Sequence, residues 1–330
     1  MSVREDDPVN ELSIADVEAA SARIAGRVRE VVVARADRGR DSADDYELHW
    51  ALEFMQHTGT FKARGAQNFL LAHRDAGTLP RAGVTIASGG NAGLACAWAA
   101  RQHGVPATVF LPTGAPAVKV DRLRAYEADV RLTGSEYAEA QAACAEFSQQ
   151  SGALMSHAYD HPYVAAGAGT LMLEILSRVP DLDTVVLSVG GGGLFAGVAA
   201  VAREHGVRVV AVEPENSHAL RAALEAGRPV DVEVESVAAD SLGARRASQL
   251  ALWAARHGDV RSVLVPDHEI VTARARLWDE HRLVVEHAAG TAWAGLSSPG
   301  YLPGTGEKIC VVLCGANTDP ASLGVDSRAR

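Results

Sequence analysis

Two stretches of this chain carry no charged residue over a length that could span a bilayer: residues 83–100, GVTIASGGNAGLACAWAA, and residues 184–202, TVVLSVGGGGLFAGVAAVA. Each has a glycine cluster near its centre, a β-rich half before it and an alanine-rich half after it. A lipid-facing helix gains nothing from central glycines, whereas a buried strand followed by a tight turn and a packed helix uses them. Both stretches are therefore read as strand, glycine turn, helix. The same alternation continues along the chain, with strands expected near 84–88, 107–112, 129–133, 153–157, 184–189, 208–213, 262–266 and 308–314 and helices between them. That order predicts an α/β fold with mostly parallel sheets covered by helices. Ser13 to Val28 reads as an amphipathic helix, with Ser13 as N-cap and Ile14, Val17, Ala20, Ile24 and Val28 on one stripe. Tyr46 to Phe54 alternates with period two and reads as a further strand.

At 330 residues the chain exceeds what one compact core usually takes, so about two domains are expected. No Pro- or Ser-rich linker separates them, so the division comes from the chain crossing between lobes. With 31 basic and 41 acidic side chains the net charge is −10, and no Lys/Arg block is present. Such a chain repels phosphate backbones and anionic lipid, so neither nucleic acid nor a membrane is an expected partner. Cys96, Cys144, Cys310 and Cys314 lack metal-ligand spacing, and the N-terminal MSVREDDPVNEL is acidic without an apolar core. A reducing cytoplasmic location without leader peptide, disulfide framework or zinc is expected.

Ligands of open α/β sheets bind at the carboxyl ends of strands, and four loops there could carry chemistry. Gly190, Gly191, Gly192 and Gly193 lie between a strand and a helix, where backbone amides and the helix dipole favour a phosphate. No Lys-Ser or Lys-Thr follows, which excludes a Walker loop. Gly191, Gly193 and Ala196 also fit G-x-G-x-x-A, with Glu213 about twenty residues on as a ribose acid, so a nicotinamide dinucleotide is a rival reading. The loop from Ala87 to Gly93 makes a second polar nest from its amides, the Ser88 hydroxyl and the Asn91 amide, suited to a carboxylate or a ring hydroxyl, although it is also a common structural loop. Only three basic residues are lysine: Lys62, Lys119 and Lys308. Lys119 and Lys308 read as solvated charges. Lys62, in HTGTFKARGAQNF at a helix start, could be a partly desolvated, imine-forming amine, with a plain surface lysine as the alternative. Cys314 ends an apolar strand, where it either packs as a small hydrophobe or presents sulfur at the sheet mouth.

Together the four loops resemble the tryptophan-synthase-β type of pyridoxal-phosphate enzyme, and most of all its serine/threonine dehydratases. The resemblance runs in order from about Tyr46 to Ala321. TGTFKARGA is similar to the Schiff-base lysine segment, SGGNAG to the asparagine loop, GGGGL to the phosphate cup and VVLCGAN to the strand that meets the pyridine nitrogen; SVAADSLGA and LVVEHAAG are similar as well. The resemblance implies a two-lobed fold-type-II enzyme, with residues 1–50 and 158–330 in the larger lobe and 51–157 in the smaller. It implies that Lys62 binds pyridoxal 5'-phosphate as a Schiff base and takes the substrate α-proton. Phe61 and Ser241 would flank the ring, Asn91 would meet its 3-hydroxyl, and Ser88, Gly89, Asn91 and Ala92 would hold the amino-acid substrate. Gly190 to Gly193 would bind the phosphate and the Cys314 thiol would face the ring nitrogen. A neutral thiol leaves the ring a weaker electron sink than a carboxylate would, which favours direct loss of a β-substituent. The expected reaction is dehydration and deamination of L-serine or L-threonine to pyruvate or 2-oxobutyrate plus ammonia. Another β-substituted substrate such as 3-hydroxyaspartate, a nicotinamide oxidoreductase and a non-catalytic pseudoenzyme are the alternatives.

The chain also departs from the family pattern. Ala51 stands where many relatives have lysine, REVVVA replaces Arg-Thr-Pro-Leu near residue 30, and His287 stands where proline is common. Family members often bind a monovalent or divalent cation; Glu213 and the Ser217 carbonyl are candidates here, while Ala219 offers no side-chain oxygen. Family racemases carry a serine where this chain has Gly89, so elimination is expected to outrun racemisation. The short sequence after CGANTD leads us to expect no effector domain, no isoleucine feedback and a homodimer.

Overall fold

The computed structural model describes residues 11–36 and 46–323. Their strands form two sheets. The larger contains β1 (Val33–Arg35), β2 (Glu47–Ala51), β7 (Thr184–Ser188), β8 (Arg208–Pro214), β9 (Val260–Val265) and β10 (Lys308–Val312), in the order β1-β2-β10-β7-β8-β9. The smaller contains β3 (Val84–Ala87), β4 (Ala107–Leu111), β5 (Asp129–Leu132) and β6 (Leu154–Met155), in the order β5-β4-β3-β6. Every pairing is parallel except β1 with β2. β3, β4 and β7 are buried throughout, which explains their uncharged, mostly apolar sequence: a parallel strand covered by helices on both faces has no solvent side to alternate toward.

The last strand in sequence, β10, is central. It pairs Val311 with Trp50 of β2 on one side and with Val186 of β7 on the other. This places the loop carrying Cys314 beside the glycines that follow β7. On the smaller lobe lie α2 (Lys62–Asp75), α3 (Asn91–Gln102), α4 (Ala117–Arg124) and α5 (Tyr137–Ser151). The larger sheet carries α6 (Pro162–Arg178), α7 (Gly193–Glu204), α8 (Ala219–Ala226), α9 (Ala239–Leu242), α10 (Gln249–His257), α11 (Asp267–His281) and α12 (His287–Ala294). α1 (Ile14–Ile24) joins the two cores, with Val17 and Ala20 in the larger cluster and Ile24 in the smaller. Among the described residues no helix is long and apolar enough to cross a membrane.

Several boundaries differ from the sequence reading. α1 begins at the Ser13 cap as expected, reinforced by a reciprocal bond with Asp16, but ends at Ile24 because Gly26 turns the chain at φ +69°. The alternating run from Tyr46 leaves the sheet after Ala51, and Phe54 lies in a 3-10 turn over Glu53–Met55. β1 arises from the unexpected VVVAR segment, and β6 keeps only two of the five residues expected for it. The acidic N-terminal ten residues and the final seven, on which the leader and part of the C-terminal expectations rest, lie outside the described residues.

Candidate active site

A cavity of about 920 Å³ lies between the lobes, at the carboxyl ends of β3, β7 and β10. It is lined by Phe61 and Lys62, by Ser88, Gly89, Asn91 and Ala92, by all four glycines from 190 to 193, and by Ser241 and Cys314. The candidates for cofactor and substrate thus meet in one cleft, while the cation candidates Glu213 and Ser217 do not line it.

Lys62 opens α2, and the segment before it is stitched to the end of β10: Thr60 bridges Gly315, and the Phe61 amide donates to the Cys314 carbonyl at 3.1 Å. The lysine therefore projects from a backbone anchored to the larger sheet. Its Nζ donates to the Ala158 carbonyl at 2.7 Å and sits 4.7 Å from the Phe61 ring centroid. Desolvation pushes its pKa down to about 8, against the smaller opposing pull of Cys314 and Glu286. About one amine in ten is then unprotonated at pH 7, far more than for an ordinary lysine. Because the free amine is the nucleophile, borohydride-trapped capture of an aldehyde by Lys62 is expected to rise with pH and reach half its maximum near pH 8. A midpoint at or above 10 in a mass-spectrometric titration of that site would contradict this.

The glycine loop turns from β7 into α7. Gly192 holds φ +92°, and a side chain there would meet Ala251 at 2.3 Å. At Gly191 a Cβ would lie 2.4 Å from the Tyr159 ring, so the missing side chain admits the tyrosine beside the loop. The Tyr159 hydroxyl donates to the Arg246 carbonyl at 3.1 Å. What remains is a concave backbone surface at a helix N-terminus, the arrangement that favours an anion. The second nest has the same construction, with α3 starting at Asn91 and the Ser88 hydroxyl accepting from the Gly90 amide at 3.4 Å.

Cys314 Sγ lies 3.8 Å from the Ser188 hydroxyl, and burial pushes its pKa up to about 12, so the thiol stays neutral. Asn91 Nδ2 donates to both carboxylate oxygens of Glu286, at 3.1 and 3.0 Å. Burial raises the Glu286 pKa to about 7, opposed first by that bond from Asn91. Glu286, Asn317 and Tyr159 were not singled out in the sequence. A lone acid between the apolar LVV and HAAG was the available signal for Glu286; nothing local distinguished the other two.

Two expectations are corrected. Glu213 is fully buried, and its carboxylate accepts the Leu220 and Arg221 amides at 2.7 and 2.9 Å, capping α8. It does not line the cleft, which removes the ribose acid that the dinucleotide reading requires. Among the described residues no three His, Cys, Asp or Glu side chains gather to hold a metal. Lys119 is not merely a solvated charge: it lines the cleft and its Nζ is 2.8 Å from Asp240 on α9. Lys308 is likewise paired, with Asp181.

Residues 40–315 match the family model described as pyridoxal-phosphate dependent enzyme. The chain belongs to this family. It is 36% identical to the L-threonine ammonia-lyase of Geobacter sulfurreducens over 84% of its own length and 69% of that protein's. It is 37% identical to the mouse serine dehydratase-like protein over 80% of its length and 83% of that protein's. The solved structure of maize serine racemase superposes with a TM-score of 0.85 at 28% identity, covering 96% of this chain and 97% of that one. The cleft fits the family's cofactor on its own geometry. An amine of lowered pKa projects into it, a glycine cradle at the start of α7 faces it, and the thiol at the third corner is neutral.

Proposed function

We propose that the chain is an ammonia-lyase that dehydrates and deaminates L-serine or L-threonine. The observation that carries this is the Cys314 thiol, held neutral by burial at the position proposed for the ring-nitrogen partner. Bound pyridoxal phosphate supplies an electron sink conjugated to the substrate's amino group, and a neutral partner keeps that sink weak. A weak sink shortens the life of negative charge at the α-carbon and so favours expulsion of the β-hydroxyl.

In this reading Lys62 holds the cofactor and later takes the substrate α-proton on Nζ, for which its lowered pKa suits it near neutral pH. The amides at the start of α3, with Ser88, Gly89 and Ala92, receive the substrate carboxylate. The loop from Gly190 to Gly193 receives the phosphate, and Phe61 and Ser241 confine the ring. Loss of the α-proton and the β-hydroxyl as water leaves an enamine, and its hydrolysis takes up one water and releases ammonia and the 2-oxo acid. Lys119 and Arg246, two cations of the cleft, are already paired with Asp240 and Asp231. Arg245, a third cation of the cleft, has its Nε on the Val232 carbonyl, so a substrate with a second carboxylate such as 3-hydroxyaspartate stays the alternative. A cytoplasmic homodimer, divided into lobes at about residues 51 and 157, completes the proposal.

The test is 2-oxo acid and ammonia appearance from a panel of β-substituted amino acids. Pyruvate or 2-oxobutyrate is expected from L-serine or L-threonine, and no product across the panel would overturn the reading. Racemisation is the competing outcome. With glycine at 89 no hydroxyl stands there to return a proton, so L-serine is expected to give pyruvate with little D-serine. A Cβ at residue 89 would lie 2.5 Å from Leu111 Cδ2, so Gly89→Ser requires Leu111 to change rotamer. It is expected to raise the D-serine yield without abolishing elimination. Chiral chromatography checks both, and D-serine accumulating as fast as pyruvate in the unmodified protein would contradict the role given to Gly89.

A further inference from the structure

An asparagine side chain can present either its oxygen or its nitrogen to a neighbour, and the choice decides whether a ligand meets an acceptor or a donor. At Asn91 the choice is made by residues remote in sequence. Asn317 Nδ2 donates to the Thr58 carbonyl and to Asn91 Oδ1, both at 2.8 Å, while Asn317 Oδ1 accepts from the Arg122 guanidinium. A carbonyl only accepts and a guanidinium only donates, so Asn317 fits one way round. Asn91 must then turn its oxygen to Asn317 and its nitrogen to Glu286, a carboxylate that in its ionised form only accepts.

The surroundings are shaped to this chain of bonds. A Cβ at Gly315 would fall 2.2 Å from Glu286 Oε1, so glycine admits the carboxylate there, and the Glu286 amide donates to the Gly315 carbonyl at 3.0 Å. Thr58, a β-branched residue, is held at φ +62° with its hydroxyl buried and unpartnered, in the segment that leads to Lys62. Strain of this kind persists where the surrounding structure over-determines it.

We infer that Asn317 is a positioning residue that holds the donor edge of Asn91 toward the cofactor site. Asn91 Nδ2 is nearly equidistant from the two Glu286 oxygens, so one N–H serves the carboxylate and the other is left for a ligand acceptor. An oxygen carrying negative charge on the cofactor ring is such an acceptor. The inference rests on the proposal that Asn91 meets the ring hydroxyl.

Asn317→Asp keeps the shape of residue 317 and replaces its donor with an acceptor, opposing both Thr58 O and Asn91 Oδ1. Measured by equilibrium dialysis, its pyridoxal-phosphate dissociation constant is expected to rise about tenfold or more, the effect of losing an oriented hydrogen bond to a charged group. The visible band of the loaded protein is expected to shift, and kcat to fall more than KM changes. If that variant does not fold, Asn317→Ala is read in the same way. Asn91→Ala is measured alongside. A shifted band and weaker binding in both variants support the inference. A change in Asn91→Ala alone, with Asn317→Asp binding and absorbing as the unmodified protein does, overturns the positioning role while leaving Asn91 at the ring. No change in either variant removes Asn91 from the ring, and the inference with it.

Discussion

Lys62→Ala is expected to lower kcat for 2-oxo acid formation by about 10³-fold or more, with loss of the borohydride-trapped adduct. Acid/base groups alone typically contribute about 10² to 10⁴, and in the proposed reaction the same Nζ also forms the covalent attachment. The replacement should be structurally mild, because the Lys62 amine gives up one hydrogen bond to the Ala158 carbonyl and its place over the Phe61 ring, and removing a desolvated amine relieves a cost. Non-covalent cofactor binding through the glycine loop is expected to survive in part. Steady-state assay with mass spectrometry of the reduced protein checks the prediction. Activity within tenfold of the unmodified protein would assign the proton transfer elsewhere.

The second large effect concerns stability. Two residues after Lys62, Arg64 is fully buried. Its Nε and Nη2 reach the two oxygens of the equally buried Glu53 at 2.7 and 3.0 Å, and Nη2 also reaches Glu174 Oε2 at 2.8 Å. Further bonds run to the Thr170 hydroxyl and the Arg29 carbonyl. One guanidinium therefore ties the first turn of α2 to the 3-10 turn after β2, to α6 and to the loop after α1. Burial alone would push the Glu53 carboxyl toward its protonated form, and Arg64 is what opposes this most. Arg64→Met leaves that acid in the core without its cation and is expected to cost about 3–5 kcal/mol in urea unfolding. Replacing both, Arg64→Met with Glu53→Leu, is expected to recover part of the loss, since it removes the fully buried acid, while Glu174, a quarter exposed, loses its cation but keeps the Val31 amide and access to water. A single-variant cost below about 1 kcal/mol would show that the network is replaceable by water.

β3, β7 and β10 announced themselves because a strand covered on both faces must be apolar along its length, and such runs between glycine and charge are visible locally. The Ser13 cap, the glycine turns into α3 and α7, and Lys62 at the head of α2 were legible for the same reason: each depends on neighbours within a few residues. The edge strand β1 was not, because it owes its pairing to β2, and β6 was legible as a strand but not in length, since only two of its residues find a partner on β3.

The sequence by itself thus determined the parallel α/β architecture and the chemistry of the four loops, since backbone periodicity and residue type are local properties. Only the tertiary structure decided the electrostatic setting. Lys62 and Cys314 have shifted pKa values because of what surrounds them in the cleft, and Lys119 met Asp240 only when α4 faced α9. Glu213 became a helix cap because β8 delivers it to the amides of α8. The orientation of Asn91 depends on Glu286 and Asn317, which lie 195 and 226 residues further along the chain. Hydrogen-bond direction and desolvation are properties of atoms in space, and no periodicity in the sequence encodes them.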